Sequence, residues 1–292
     1  MRAHTVSAPA KINVILEVLG RRADGYHDLW SVLVLVDLCD TVAVAPRRRG
    51  ILLTVRPPLL PAGPGNLAFR AAEAFFGAYG RPGGAAITLR KRIPVGGGLG
   101  GGSSDAAAVL AALNAMTGRP LARGRLLELA AGLGSDVPFF FSGGAALITG
   151  RGEQVADLPP PRPRWLVLAL TGDPVSTAWA YGRLPSGERR VPERTWTAAA
   201  AAGRTEALLD TAFNRLEEVV FAARPDLAAL KGRLVALGAS PAGLTGSGAA
   251  LFGFAPDRVA ATAWSAALKA EGRDAWACQT LRENPIRAAA LA

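Results

Sequence analysis

The first sixty residues alternate between apolar and polar positions in a way that predicts β-strands. Between Lys11 and Val18, one face of an extended chain would be wholly apolar, and the other would carry Lys11 and Asn13. The pair Asp24-Gly25 is typical of a turn. Apolar runs then predict three further strands, at Leu33–Leu38, Thr41–Ala45 and Leu52–Val55.

Helix signals follow the predicted strands. Asn66 stands where a helix N-cap would, before an apolar run that continues through Phe75 and Phe76. Three more elements are predicted: a strand at Ile87–Leu89, an alanine-rich helix from Ser103 or Ser104 to Gly118, and a helix near Arg125–Leu133 that ends at Gly134.

A proline-rich segment, Leu158–Pro163, divides the chain, because proline does not fit inside a regular helix or sheet. We therefore expect two domains, residues 1–158 and 159–292. The second would cover an antiparallel sheet with helices, which predicts an α+β protein. Its predicted strands are Trp165–Leu170, Ala242–Thr245, Ala250–Phe254 and Trp276–Gln279, and its helices lie around Glu206–Phe221, Leu227–Leu237 and Arg258–Glu271.

Length and composition restrict the class of protein. With 292 residues, 50% of them apolar, the chain can form two cores more readily than one. Cys39 and Cys278 lie far apart in sequence, which fits a reducing compartment without disulfides or a zinc site. Lys11, Asn13 and Glu17 interrupt the N-terminal stretch, and no apolar run approaches the length of a membrane span. We expect a cytoplasmic protein with no signal peptide and no membrane partner.

The formal net charge is +10 at pH 7, from 33 lysines and arginines against 23 acidic residues. Such an excess invites a nucleic-acid interpretation. The basic residues form only short clusters, such as Arg47–Arg49 and Arg90–Arg92, without the interleaved aromatic residues that base stacking requires. We therefore expect no nucleic-acid partner, and we assign the charge to the binding of small anionic molecules.

The segment from residue 94 to residue 104, here called the glycine loop, is the most specific chemical feature of the sequence. Glycine in this density is useful where the backbone must approach a ligand or adopt positive φ, and the helix that follows attracts anions through its free amides and dipole. The loop lacks the lysine of a Walker loop, and a merely flexible connection is the alternative. The sequence predicts phosphate binding by Pro94, Val95, Gly96, Gly97, Gly98, Leu99, Gly100, Gly101, Gly102, Ser103 and Ser104.

This loop resembles the Pro-x-x-x-Gly-Leu-Gly-x-x-Ser-Ser signature of the GHMP kinases, and in particular the branch that acts on diphosphocytidyl-methylerythritol. The resemblance implies a ribosomal-protein-S5-like N-terminal domain, a ferredoxin-like C-terminal domain and an active site in the cleft between them. It also implies ATP with Mg²⁺ as the co-substrate, without a tightly bound prosthetic group. The other segments similar to that family are Ala8–Val14, Gly20–Leu29, Gly134–Phe140 and Leu244–Ala250.

The resemblance implies two catalytic residues. On its own, Asp136 is typical of a helix N-cap, because it follows a helix ended by Gly134 and precedes Pro138. In the family it would orient the acceptor hydroxyl and accept its proton. A lysine on a strand is usually solvated, but the resemblance places Lys11 against Asp136 and the transferring phosphate.

The acceptor side also follows from the resemblance. His27 and Tyr26, which a turn could carry without any function, would meet a cytosine ring. Asn13 would help to position the acceptor. Tyr181 would supply a second aromatic ring, with Trp179 as the alternative.

Three further assignments complete the predicted site. Asn66 would cap its helix and contact the nucleotide. No obvious acidic magnesium ligand stands beside the glycine loop, so Mg²⁺ would be held by the phosphates, by water and by a loop serine, and its protein ligands stay unknown. A second turn, which could equally just link two strands, would line the cleft opposite the glycine loop through Thr245, Gly246, Ser247 and Gly248.

We therefore predict an ATP-dependent kinase that phosphorylates the 2-hydroxyl of diphosphocytidyl-methylerythritol, a cytidine diphosphate sugar alcohol, in isoprenoid precursor synthesis. A GHMP kinase for homoserine or mevalonate is the alternative and would differ at Tyr26 and His27. An RNA-binding protein is a remote alternative, because the expected N-terminal fold also occurs in a ribosomal protein. The oligomeric state is open between a monomer and a weak homodimer.

Overall fold

The N-terminal half is a mixed sheet with helices packed against it, in a computed structural model that describes residues 3–185 and 190–291. Its elements are β1 (His4–Arg21), β2 (His27–Arg47), β3 (Gly50–Arg56), α1 (Leu67–Tyr79), β4 (Gly84–Arg90), α2 (Gly101–Met116), α3 (Arg123–Leu133), β5 (Ala145–Gly150) and β6 (Gln154–Leu158). β1 and β2 form a long antiparallel hairpin. β4 and then β3 extend the sheet along one part of β2, and β5 and then β6 extend it along the other part.

The predicted strand at residues 11–18 lies within β1, but neither face of that strand is solvated. The strand has a register shift between Asn13 and Ile15, and its apolar residues enter two clusters of the core, Ile12, Val14 and Ile15 one of them and Leu16 and Val18 the other. Lys11 and Asn13, on the face predicted to be polar, are buried. Buried polar groups are tolerated when they have partners, so these two side chains must belong to a polar network.

α2 is the central helix of the N-terminal half. It begins at Gly101, slightly before the predicted start at Ser103, because Gly100 in the left-handed conformation serves as its N-cap. The alanines at Ala106–Ala108 are fully buried, and their small side chains let the helix lie close to the sheet and to α1. Despite this apolar character, none of the helices in the described ranges is long and apolar enough to cross a membrane.

The C-terminal half is built on an antiparallel sheet of strand order β11-β7-β10-β9, which confirms the predicted α+β fold with a ferredoxin-like second part. Its elements are β7 (Trp165–Leu170), α4 (Thr177–Gly182), α5 (Arg194–Ala201), α6 (Thr205–Leu209), β8 (Phe213–Asn214), α7 (Glu217–Ala223), α8 (Pro225–Ala236), β9 (Ala242–Leu244), β10 (Ala250–Phe254), α9 (Arg258–Ala270), β11 (Asp274–Gln279) and α10 (Pro285–Leu291).

The prediction of one helix around Glu206–Phe221 is wrong. The chain forms α6 and α7 there, separated by β8. Phe213 and Asn214 of β8 pair with Ile15 and Leu16 of β1, and this long-range pairing overrides the local helix propensity. The sequence reasoning also missed β5, β6, α4, α5 and α10, all of them short.

The predicted linker begins at the last residue of β6 and continues without regular structure to β7. Two later elements return to the N-terminal half, since β8 joins its sheet and α10 packs on α2 and β1. The domain division at residue 158 therefore stays a prediction.

Asn284 attaches α10 to the segment that follows α3. Its buried amide donates to the carbonyl oxygens of Phe140 and Ser142, at 2.8 Å each, and accepts from the N–H of Ile286 at 2.9 Å. Asn284→Ala leaves these groups unpaired, so the free energy of unfolding should fall by about 2–4 kcal/mol in urea denaturation. Glu283→Ala, at an exposed neighbour, should change it by less than about 0.5 kcal/mol. Equal effects of the two substitutions would contradict this role.

Candidate active site

A cavity of about 960 Å³ opens between the two halves of the protein. The β1–β2 hairpin, two glycines of the glycine loop, α4 and the turn at residues 246–247 contribute to its lining. The cavity thus gathers predicted residues that are far apart in sequence. Those that line it are Lys11, Asn13, Tyr26, His27, Gly98, Gly100, Asp136, Tyr181, Gly246 and Ser247.

The glycine loop adopts positive φ at every second residue from 96 to 100, with values of 78° at Gly96, 76° at Gly98 and 71° at Gly100. Side chains are also excluded by space. A Cβ atom on Gly98 would lie 2.5 Å from the carbonyl oxygen of Thr245, and one on Gly100 would lie 3.0 Å from Cγ of Lys11. These glycines are therefore required by both conformation and close approach.

Backbone hydrogen bonds attach the glycine loop to both halves of the protein. The N–H of Lys11 in β1 donates to the carbonyl oxygen of Leu99 at 3.0 Å, and the N–H of Ala250 in β10 donates to that of Gly97 at 3.2 Å. Leu99, the one residue other than glycine between Gly96 and Gly102, is buried. The loop is consequently a fixed part of the cleft wall, in contrast to the alternative of a flexible connection.

The start of α2 offers a site for an anion. Its N-cap is Gly100, which has no side chain to satisfy the first amide groups of the helix. These amides and the helix dipole attract negative charge. Ser103 is half-buried in the first turn, whereas the hydroxyl of Ser104 is buried and has no hydrogen-bond partner in the described part of the chain.

Lys11 and Asp136 meet in the cavity, as the resemblance implied. The Lys11 ammonium donates to the Asn13 side-chain oxygen at 2.6 Å and lies 3.7 Å from Oδ2 of Asp136. The Lys11 side chain is 5% exposed, and that of Asp136 is 42% exposed. Burial lowers the pKa of Lys11, and the Asp136 carboxylate opposes this shift. The pair therefore places a buried cation beside an accessible carboxylate.

Asp136 does not act as a helix N-cap. The short 3-10 turn after it (Pro138–Phe141) has Val137 as its cap residue and no side-chain cap. The β5–β6 turn packs closely against Ser135, the residue before Asp136. A Cβ atom on Gly152 of that turn would lie 3.1 Å from Cβ of Ser135. Asp136 is thus left free to face the cavity.

Asn13 is fixed by a chain of hydrogen bonds that crosses the cleft. Its backbone N–H donates to the Thr245 hydroxyl at 3.0 Å, and its side-chain amide donates to the Ser31 hydroxyl at 2.9 Å. Ser31 in turn donates to the carbonyl oxygen of Ile15 at 2.6 Å. The Asn13 oxygen, already bonded to Lys11, is therefore held in one orientation.

His27 and Tyr181 form an aromatic pair at the other end of the cavity. Their ring centroids are 5.2 Å apart, with an angle of 39° between the planes. Burial, with the charge of Arg21, lowers the pKa of His27, so its imidazole is neutral near pH 7 and offers one donor and one acceptor. Burial, with the charge of Asp136, raises the pKa of Tyr181 and keeps it a neutral phenol.

Tyr26 and Trp179 occupy different surroundings. Tyr26 is 53% exposed at the rim of the cavity, with the guanidinium of Arg151 5.3 Å from its ring centroid. Trp179 lies on α4 with Tyr181 but is outside the cavity lining, and Arg183 covers its ring. The position of Tyr181 therefore favours it over Trp179 as the second aromatic residue.

Three predicted residues outside the glycine loop do not line the cavity, and within that loop only Gly98 and Gly100 line it. The Thr245 hydroxyl accepts a hydrogen bond from the backbone N–H of Asn13. Gly248 directly follows Gly246 and Ser247, which line the cavity. Asn66 caps α1, since its side-chain oxygen accepts from the N–H of Ala68 at 3.0 Å and its amide donates to the carbonyl oxygen of Pro61 at 2.9 Å. Nucleotide contact by Asn66 stays a prediction.

The sequence reasoning missed the basic residues of the cavity. Together with Lys11 they give five basic side chains, against the single carboxylate of Asp136, among the described lining residues. No local pattern distinguishes such residues in an arginine-rich chain. The missed residues are Arg21, Arg151, Arg190 and Arg215.

Comparisons with known proteins agree with this geometry. The family model described as GHMP kinases N terminal domain matches residues 66–144, and the model described as GHMP kinases C terminal matches residues 197–274. A 4-diphosphocytidyl-2-C-methyl-D-erythritol kinase of Symbiobacterium thermophilum is 40% identical over 279 residues, covering 94% of this chain and 99% of that relative. A protein of the same name from Moorella thermoacetica is 43% identical over 258 residues, covering 87% and 90%.

Solved structures share the fold. A crystal structure of 4-(cytidine 5'-diphospho)-2C-methyl-D-erythritol kinase matches with a TM-score of 0.81 at 37% identity, covering 95% of this chain and 99% of that one. A homoserine kinase of Cytophaga hutchinsonii matches with a TM-score of 0.71 at 18% identity, over 97% and 96%, and so shows the fold alone. The predicted family is confirmed, and this chain belongs to the GHMP kinases, which are ATP-dependent phosphotransferases.

Proposed function

We propose that this GHMP kinase transfers the γ-phosphate of ATP to the 2-hydroxyl of 4-diphosphocytidyl-2-C-methyl-D-erythritol. The observation that carries the proposal is the placement of Lys11–Asp136 and His27–Tyr181 in one cavity, in a chain 40% identical to a kinase named for that substrate. The first pair suits transfer of phosphate to an alcohol. The second pair suits the binding of a flat nucleobase by stacking and hydrogen bonding.

ATP, the co-substrate of the family, would place its phosphates on the glycine loop and the start of α2. The loop amides supply donors, and the absence of side chains at Gly98 and Gly100 lets the phosphates come close to the backbone. Lys11 lies against Gly100, so its ammonium would lie beside the terminal phosphate.

Phosphoryl transfer depends more on positioning than on strong activation of the alcohol. Asp136 would hold the acceptor hydroxyl in line with the γ-phosphorus. The hydroxyl oxygen bonds to that phosphorus as the bond to the bridging oxygen of ADP breaks, and Asp136 takes the hydroxyl proton late. The Lys11 charge would offset negative charge on the phosphoryl oxygens.

We include Mg²⁺ in the proposal, because when it is bound to the nucleotide it would neutralise charge on the phosphates. Within the described ranges, no group of three or more His, Cys, Asp or Glu residues could hold a metal ion. Phosphate oxygens and water would therefore supply most ligands. The half-buried hydroxyl of Ser103, in the first turn of α2, fits as a protein ligand.

The charge of the cavity favours a negatively charged acceptor. Five basic side chains and one carboxylate line it within the described ranges, and this excess would attract both a triphosphate and the diphosphate of the cytidine substrate. A small uncharged alcohol would need neither this charge nor the His27–Tyr181 pair.

The direct test is ADP release from ATP and Mg²⁺ in the presence of the cytidine substrate. We expect turnover with that alcohol and background ADP release with homoserine or mevalonate. Turnover of homoserine or mevalonate alone would contradict the substrate assignment. No turnover of any of the three would contradict the proposed activity.

Asp136→Asn tests the catalytic role. We expect kcat to fall by about a hundredfold to ten-thousandfold, because the amide can hold the hydroxyl but cannot take its proton. ADP affinity, measured by calorimetry, should stay unchanged. Asp210→Asn, at an exposed carboxylate outside the cavity, is the matched control and should keep the wild-type kcat. A normal kcat in Asp136→Asn would refute the assignment.

His27→Ala and Tyr181→Leu test recognition of the base. Each should raise KM for the cytidine substrate by about tenfold to a hundredfold, with little change in KM for ATP, because only the acceptor loses contacts. Steady-state kinetics with each substrate varied in turn measure both constants. Trp179→Leu is the matched control on the same helix. A larger effect there than in Tyr181→Leu would transfer the stacking role to Trp179.

A further inference from the structure

The chain enters the glycine loop through the three residues that follow β4, and the backbone N–H groups of all three have partners outside the loop. The N–H of Lys91 donates to the carbonyl oxygen of Arg56, at the end of β3, at 2.8 Å. The next two N–H groups, of Arg92 and Ile93, both donate to Oδ1 of Asp40, at 2.5 Å and 2.9 Å. One strand end and one side chain therefore fix the path of the chain into the loop.

Asp40 lies at the point of β2 where its pairing with β4 ends. The last residue pair of that ladder is Thr41 with Arg90. The Asp40 side chain is 0% exposed, and a carboxylate buried to this degree needs hydrogen-bond donors for both of its oxygens. Backbone N–H groups serve Oδ1, and the Lys91 ammonium serves Oδ2.

Lys91 extends this contact to the helix that leaves the loop. Its ammonium also donates to Oδ2 of Asp105, in α2, at 2.5 Å. The side chains of Lys91 and Asp105 are 3% and 2% exposed. One buried ammonium thus connects Asp40 of β2 with the first part of α2.

The two ends of the glycine loop also touch directly at Gly101, the first residue of α2. A Cβ atom on Gly101 would lie 3.0 Å from Cγ2 of Ile93 and 3.5 Å from Nζ of Lys91. The Ile93 side chain is buried. Because these groups are in close contact, a shift of the entering segment would either move the first turn of α2 or leave a gap there.

Stability alone does not account for three buried charged side chains at this place. Desolvation offsets the attraction between buried charges, and such networks are often no more stabilising than apolar side chains of similar volume. A hydrogen-bonded network does fix geometry, because each bond has a preferred length and direction. This network fixes the position of the segment that enters the glycine loop relative to the start of α2.

We propose that Asp40 and Lys91 are positioning residues for the binding of the ATP phosphates, a role that rests on the proposed nucleotide site. Neither residue lines the cavity, so each acts through the backbone that it holds. Asp40 fixes the segment before the glycine loop, and Lys91 fixes that segment against α2. The amides of the loop and of the first helical turn then keep one arrangement, and phosphate binding does not have to order them.

Asp40→Asn tests the first of these residues with a side chain of the same shape. The amide has a single acceptor oxygen, so it cannot serve both the backbone N–H groups and the Lys91 ammonium. Kd for ADP, measured by calorimetry, and KM for ATP should each rise about tenfold, whereas KM for the cytidine substrate should stay unchanged. These constants do not depend on how much of the protein is folded, so a merely structural role would not change them.

Asp37→Asn is the matched control on the same strand. The Asp37 carboxylate also accepts from a backbone N–H, that of Gln279 at 2.8 Å, but this bond leads to β11 instead of the loop. Kd for ADP and KM for ATP should keep their wild-type values in this variant.

The double variant Lys91→Met/Asp105→Asn tests the connection to α2. It removes one charge of each sign, and Asp40 keeps both backbone donors, so this variant should fold even if Asp40→Asn does not. Kd for ADP and KM for ATP should again rise about tenfold, with KM for the cytidine substrate unchanged. Lys231→Met/Glu217→Gln, which removes a part-buried ion pair between α7 and α8, is the matched control and should leave all three constants unchanged.

Two results would overturn the proposal and leave the proposed function standing. The first is an unchanged Kd for ADP in either folded variant. The second is an equal rise in KM for the cytidine substrate, because it would indicate a general loss of structure instead of an effect on the loop. A wild-type protein that does not bind ADP would remove the proposed nucleotide site, and this proposal with it.

Discussion

The close contact of the glycine loop with both halves of the protein is the constraint on which the site depends. Its backbone bonds to β1 through Leu99 and to β10 through Gly97, and the carbonyl of Thr245 occupies the space that a side chain on Gly98 would need. Because glycine backbone fills this gap, loop amides stay available to a ligand instead of being covered by side chains. The same contacts place Gly98 and Gly100 in the lining of the cavity and bring Lys11 against Gly100.

Two buried lysines lie close to consecutive glycines of this loop, Lys11 to Gly100 and Lys91 to Gly101, and their surroundings differ. Lys11 faces the cavity beside Asp136, whose side chain is 42% exposed and can reach a substrate. Lys91 is enclosed by Asp40 and Asp105, and its side chain is 3% exposed. We assign to Lys11 the stabilisation of the charge that is transferred, whereas Lys91 joins Asp40 of β2 to Asp105 of α2.

The features that could be predicted from sequence are those that depend on neighbouring residues in the chain. The positive φ and close backbone approach of the loop glycines, the cap at Asn66 and the strand Trp165–Leu170 all agree with the structure. The break of the predicted helix at Phe213–Asn214 could not be foreseen, because pairing with β1 decides it. Neither the burial of Lys11 nor the arginines of the cavity has a local signal. The network of Lys91 depends on strand register and helix placement, which only the fold supplies.

The central claim is that the glycine loop binds the triphosphate and directs its terminal phosphate at Asp136 and Lys11. A crystal structure with a non-hydrolysable ATP analogue and the cytidine substrate tests it most directly. The account predicts phosphate oxygens bonded to loop amides, and the 2-hydroxyl oxygen about 3–3.5 Å from the γ-phosphorus and within hydrogen-bond reach of Asp136. A triphosphate bound away from the loop, or a γ-phosphate that faces away from Asp136 and Lys11, would contradict it.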